Sequence, residues 1–181
     1  MIIDYSPEHA RGWLRCRVLA FLDTAYYDDV YRAVPTFDNP AIRLLEVAND
    51  TVRGLIDVEL FADGTATIDT IAVLPEHARL GIGTALLAGA VDRLPIGTRT
   101  LDAWTRDDAA SNAWYRRNGF AEEYRYLHVH VSDGDPIDGF VTPEPLSPPV
   151  QGFYHAPIEY ERELRARFRR VHQCRQYLRA L

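Results

Sequence analysis

Residues 70–87 read Thr70-Ile71-Ala72-Val73-Leu74-Pro75-Glu76-His77-Ala78-Arg79-Leu80-Gly81-Ile82-Gly83-Thr84-Ala85-Leu86-Leu87. Thr65 to Leu74 has the β-branched composition of a strand, and Pro75 ends it. After a short loop, Gly81 to Leu94 carries Leu86, Leu87, Ala90 and Leu94 on one helical face. The first amides of a helix have no partner inside it, and its dipole favours negative charge there. Glycines at that point let a bulky anion come close to the backbone. Arg79-Leu80-Gly81-Ile82-Gly83-Thr84-Ala85 therefore reads either as a pyrophosphate cradle or as a softened turn ahead of a core helix. It is not a dinucleotide fingerprint, because Leu86 stands where the third small residue belongs.

Working outward, residues 1–5 read as a strand, and Ser6-Pro7-Glu8 as the start of a helix through Leu22. Residues 23–40 are acidic and aromatic and read as a second short helix and a loop. Strands follow over 42–48 and 51–61, joined by the tight turn Asn49-Asp50. Past the central helix come a strand at 100–105, a helix at 107–118 stopped by Gly119, and a strand at 121–131. Residues 133–149 hold five of the eleven prolines and read as a stiff loop, with a short strand possible at 150–155. From Pro157 on, Leu164, Phe168, Val171, Cys174, Leu178 and Leu181 fall at helical spacing, which predicts a C-terminal amphipathic helix over 157–181. Hairpins mixed with crossovers predict an α+β fold with a partly antiparallel, partly parallel sheet flanked by helices.

The 181 residues are 47% hydrophobic and 25% charged, values of a globular domain. All 20 basic residues are arginine, which excludes Schiff-base lysines and the lysine of a P-loop. Two cysteines make neither a disulfide framework nor a four-cysteine zinc site. No apolar run is long enough for a membrane span, and the N-terminus lacks a secretory core, so a cytoplasmic address is expected. The net charge is −6, but 157–181 has seven Arg against three Glu, a local +4 that leaves −10 on the remainder. An acidic body suits a neutral or cationic small substrate and argues against nucleic acid.

A second stretch, Asp108-Ala109-Ala110-Ser111-Asn112-Ala113-Trp114-Tyr115-Arg116-Arg117-Asn118-Gly119-Phe120, is a glycine-capped helix. With it, the chain resembles the GNAT superfamily of acyl-CoA-dependent N-acyltransferases over roughly residues 1–131. That family has a (Q/R)-x-x-G-x-(G/A) loop after its fourth strand and a helix reading like FYEKLGF after its fifth. Here Ala78-Arg79-Leu80-Gly81-Ile82-Gly83 and Trp114-Tyr115-Arg116-Arg117-Asn118-Gly119-Phe120 stand in that order. The family's Gln or Arg falls on Ala78, one residue before Arg79, and its frequent Asn falls on Asp108.

The resemblance implies an acetyl-CoA-dependent N-acetyltransferase that moves acetyl directly to an amine of a small molecule or peptide. The alternative is a non-catalytic acyl-CoA-binding regulatory module. The chain is expected to divide into a domain over 1–132, a proline-rich connection over 133–156, and a helix over 157–181 whose apolar stripe packs on the body or on a partner copy, with a homodimer expected. Acetyl-CoA would bind at Arg79, Leu80, Gly81, Ile82, Gly83, Thr84 and Ala85. Its pantetheine would lie in a gap between strands 65–74 and 100–105, beside the backbone of Ala72, Val73 and Leu74 and near Asn112. Tyr115 would protonate the departing thiolate, or else serve as a packing aromatic. Glu59 or Asp69 would take the amine proton. On the strand at 121–131, Tyr124, Tyr126, His128 and His130 alternate to one face. No third ligand accompanies the two histidines, so no metal is expected. Tyr126 and His128 would line one wall of the acceptor site, and Tyr26, Tyr27 and Asp28 the other.

Overall fold

The strand read at 65–74 lies fourth in a sheet of eight, with order β1-β2-β3-β4-β5-β8-β6-β7, in a computed structural model that describes all residues 1–181. The elements are β1 (Ile2–Asp4), α1 (Ala10–Phe21), β2 (Ala41–Ala48), β3 (Thr51–Leu60), β4 (Thr65–Val73), α2 (Ile82–Val91), β5 (Thr100–Thr105), α3 (Ala109–Arg117), β6 (Ala121–Val131), β7 (Gly152–Ala156), α4 (Glu161–Arg167) and β8 (Arg170–Ala180). β4 and β5 pair parallel, and every other neighbouring pair is antiparallel. The mixed sheet flanked by helices is the expected α+β architecture.

The two faces of the sheet are covered by different elements. On one, α2 and α3 bury Leu44, Ile56, Val58, Ile68, Leu101 and Ala103 against Leu86, Leu87 and Tyr115. On the other, α1 lays Trp13 and Cys16 over Leu45, Leu55 and Ala72. Beneath β6 and β8 a third cluster gathers Leu127, Val129, Phe168 and Val171, with Phe140 and Leu164 packed against it. The proline-rich segment thus has an anchor in the body.

Two elements differ from the sequence reading. Residues 23–40 form turns and no second helix, because Pro35 and Pro40 interrupt the segment and its polar groups bond to arginines of other elements. The C-terminal amphipathic helix over 157–181 is also corrected. Only seven residues, Glu161–Arg167, are helical after a short 3-10 turn, and Arg170–Ala180 is a strand. Val171, Cys174 and Tyr177 are its buried residues, a spacing of three that imitates a helix. The cause is that β8 lies between β5 and β6 with both faces covered, so Val171 and Tyr177 are buried on one face and Cys174 on the other. Its polar residues keep partners: Gln176 donates to Asp102 and Gln173 to Glu161.

The C-terminal arginines bond to acids of the body, Arg165 to Asp107, Arg170 to Asp28 and Arg175 to Glu122. Because β8 lies between β5 and β6, truncation after Asp133 should not trim a tail. It should leave β6 without a strand partner and β5 paired only to β4, and the truncated chain should be insoluble or lack a cooperative thermal transition by circular dichroism. A soluble product with an unchanged melting temperature would contradict this architecture.

Candidate active site

β3 and β4 pair in one register from Gly54↔Val73 to Asp57↔Thr70 and in a shifted one from Val58↔Ile68 on, so Asp69 is an extra residue on β4. A bulge turns its strand locally. Pairing of β4 with β5 stops one residue before it, at Ile68↔Ala103, although β4 runs on to Val73 and β5 to Thr105. The sheet therefore opens into a gap. Leu74 N–H donates to Arg53 O at 2.8 Å, across β3. Strand alternation then directs the backbone groups of Ala72 toward β3 and those of Ile71 and Val73 into the gap. Of the three positions expected there, Val73 offers its backbone to the gap and Ala72 and Leu74 do not.

Below the gap, Arg79 and Gly81 take left-handed backbone angles (φ 62° and 81°) that lead into α2. The first bond of the helix is Ala85 N–H to Gly81 O, 2.9 Å, so the amides of Ile82, Gly83 and Thr84 have no partner within it. Leu80 is exposed, as are Arg79, Gly81, Thr84 and Ala85, and space beside Gly81 is open. A Cβ on Gly83 would touch the indole of Trp114, 3.6 Å away, so α3 walls one side of the helix start. The segment fits an anionic group such as a pyrophosphate.

Tyr115 lies on α3 in the main core, stacked on Tyr177 at 5.3 Å and edge-on to Trp114 and Phe120. Burial drives its phenol far above the usual range, and Tyr26 and Asp102 push the same way. It is a protonated hydroxyl at neutral pH. Asn112 does not serve the gap: its amide donates to Arg106 O and Asp108 O and accepts from Tyr177 Oη at 2.8 Å, so it fastens α3 to β5 and β8. Asp108 caps α3 through Ser111 N–H.

On the α1 face, Asp57 is fully buried and pushed upward by desolvation, against the opposing pull of Arg43 at 2.7 Å. Asp69 is exposed on the bulge, and desolvation followed by the neighbouring Asp57 charge raises its carboxyl. Glu59 accepts from Asn39 at 2.8 Å. The carboxylate left beside the gap is Asp69.

The loop between α1 and β2 covers the same face, held by three guanidiniums. Buried Arg17 donates to Asp29 Oδ2 at 2.7 Å and stacks over Tyr31. Buried Arg106 donates to Ala25 O and lies over the Tyr26 ring, while its own N–H donates to Tyr26 Oη at 2.9 Å. Arg170 grips Asp28 by two bonds and stacks on Tyr27. Asp28, held at about 2 by the Arg170 bonds, is neutralised rather than a free acidic wall. Arg106 Nε also donates to His128 Nδ1 at 3.1 Å, which leaves Nε2–H to donate to Tyr126 Oη at 2.9 Å. Tyr26, Asp28, Tyr126 and His128 thus do meet around Arg106, a residue that sequence reasoning missed. Its only signal was a lone Arg directly after strand 100–105. Both ring nitrogens of His128 are engaged, so it offers none to a metal.

Residues 41–122 match the profile described as acetyltransferase (GNAT) domain. Over these residues the chain is similar to GNAT acetyltransferases. It is 29% identical to the mycothiol acetyltransferase of Sanguibacter keddieii over 140 residues, covering 68% of this chain and 43% of that protein, so it spans less than half the length of that curated relative. The ribosomal-protein-S18-alanine N-acetyltransferase of Escherichia coli has the same fold, with a TM-score of 0.62 at 16% identity over 99% of this chain and 92% of that one. The PaiA N-acetyltransferase of Thermoplasma acidophilum, solved in complex with coenzyme A, gives 0.57 at 17% identity over 68% and 90%.

Desolvation and the nearby arginines depress His128 to about 3 and His130 to about 4. The unfolded chain therefore binds more protons than the folded one between about pH 3 and pH 6.5, and stability falls as pH falls through that window. His128→Gln, which can still accept from Arg106 and donate to Tyr126, should flatten the fall in melting temperature between pH 6.5 and 4.5. A slope equal to the wild-type one would remove His128 from this role.

Proposed function

We propose that this protein is an acetyl-CoA-dependent N-acetyltransferase acting on an amine of a small molecule or peptide. The observation that carries the reading is the gap between β4 and β5, opened at Asp69 and lying above the unpaired amides of α2. The exposed segment 79–85 would hold the pyrophosphate, and an extended pantetheine would add to the open edge of β4 as a strand does. The N–H of Val73, directed into the gap, would polarise the thioester oxygen.

A primary alkylamine with a pKa near ~10.4 is mostly protonated at neutral pH and must lose a proton before it attacks. Asp69, raised above the usual carboxylate range, is the base of this proposal, acting directly or through water. The amine nitrogen bonds to the thioester carbon, the carbon–sulfur bond breaks, the sulfur takes the proton of Tyr115, and the second proton shed by the nitrogen restores the phenol. Glu59, already bonded to Asn39, shapes the acidic surroundings. We also infer a cytoplasmic protein and a homodimer. The outer edge of β7, with Phe153 and Tyr154 exposed, supports the dimer, which sedimentation would test.

Tyr115→Phe keeps the stacking on Tyr177 and removes only the proton. It should lower kcat by roughly 10²–10⁴-fold, the usual worth of general acid–base catalysis, with acetyl-CoA affinity nearly unchanged. Asp69→Asn should lower kcat/KM most at low pH, where little free amine is present. Gly83→Val, which puts methyl groups between the first turn of α2 and Trp114, should weaken acetyl-CoA binding at least tenfold in calorimetry while the fold persists. A folded Gly83→Val protein with unchanged affinity would speak for a non-catalytic protein whose ligand lies elsewhere.

A further inference from the structure

The α1 face of the sheet carries aromatic side chains that the core does not use. Trp104, 39% exposed, is the first β5 residue beyond the last pair with β4, so it stands on the rim of the gap. Across β8, Tyr124 and Tyr126 stack on one another at 6.0 Å and 22°, and the Trp104 ring meets them at 75° and 72°. Two aromatic walls at nearly a right angle form a corner open to solvent, with Tyr124 55% exposed.

The register places Asp102, Trp104, Gln176 and Tyr124 on this same face. Asp102 accepts from Thr67 Oγ1 at 2.5 Å and from Gln176 Nε2 at 2.8 Å, which fixes its carboxylate beside the corner. Glu59 pairs in register with Thr67, and Thr67 with Asp102, so a second carboxylate lies on the same row. The arginines that reach this face are occupied, Arg43 by Asp57, Arg17 by Asp29, Arg170 by Asp28 and Arg106 by Ala25 and His128. Ring faces attract cations through their quadrupole, and a carboxylate at the open side adds to the attraction.

We propose that the corner of Trp104, Tyr124 and Tyr126 with Asp102 is a subsite for a second positive charge, so that the acceptor is a diamine. One nitrogen reacts at the gap beside Asp69, and the other rests in the corner as an ammonium. This deepens the acetyl-transfer reading and rests on it for the identity of the reacting nitrogen. The corner itself can be tested without catalysis.

The experiment compares 1,4-diaminobutane, n-butylamine and phenethylamine. Binding is read by tryptophan fluorescence and by heteronuclear NMR of the tyrosine and tryptophan rings, and turnover by thiol release from acetyl-CoA. The diamine should bind at least tenfold more tightly than n-butylamine and shift the Trp104, Tyr124 and Tyr126 signals. Trp104→Leu and Asp102→Asn should each erase that preference, with a change in KM rather than kcat for the diamine. Either variant serves if the other fails to fold. Equal binding of diamine and monoamine would overturn the subsite, and tighter binding of phenethylamine would replace it with a stacking site for an aromatic acceptor. Ring shifts by the diamine with no thiol release from any amine would keep the cation subsite and instead sink the acetyl-transfer reading.

Discussion

One extra residue in one strand sets the geometry on which the site depends. Had β4 kept its register through Asp69, it would have continued pairing with β5 to the end of both strands, and the sheet would be closed. The slip costs backbone hydrogen bonds, and unpaired backbone groups within a sheet need a partner in water or in a ligand. It is tolerated because the strands are held from outside the gap. α2 and α3 clamp one face through Leu86, Leu87 and Tyr115. Gly54, opposite Val73, lets α2 settle close: a Cβ there would come within 2.7 Å of Ile82 Cγ2. The start of α2 is thereby fixed in relation to the gap it underlies.

The other face is tied by charge. A chain without lysine must make every contact of a permanently cationic side chain with guanidinium, which is planar and able to bond in several directions while stacking on a ring. Arg17, Arg106 and Arg170 each do both, linking α1, the end of β5 and the start of β8 to one loop. Arg17 and Arg106 are buried, and removing a partner from such a group strands a charge away from water. Asp28 is half of this clamp and so is unavailable for binding an acceptor. The cation-binding character of the face passes instead to Asp69, Asp102 and Glu59.

The sequence made the centre of this structure legible because its signals there are local. Strand, glycine loop and helix follow one another within 70–87, and the glycine cap at Gly119 closes the second motif. The gap was expected from the resemblance, but its cause was not visible: an extra residue is a property of pairing, and nothing in Asp69 alone announces it. β8 misled for a related reason. Pattern reading assumes one covered face, and a strand covered on both can show any period; Val171, Cys174 and Tyr177 happened to show three. Asn112 misled because a buried amide and a ligand-facing amide look alike in one dimension. Arg106 carries much of the loop's attachment, yet it acts through partners eighty residues earlier and twenty-two later, beyond any local pattern.

For the acetyl transfer proposed above, the placement of Asp69 and Tyr115 on opposite faces has a chemical consequence. Asp69 belongs to the face that carries Asp57, Trp104 and the arginine-held loop, whereas Tyr115 belongs to the core beneath α2. A proton taken from the amine and a proton given to the thiolate would thus travel on different sides of the sheet, with the reacting carbon between them in the gap. The two groups need not exchange protons with each other during a turnover, and their environments can be tuned separately. Burial keeps the Tyr115 phenol protonated, while desolvation and the neighbouring Asp57 charge raise the Asp69 carboxyl. A closed sheet could not separate the two protons in this way, since β4–β5 pairing continued beyond Ile68 and Ala103 would leave no opening for the reacting carbon between the two faces.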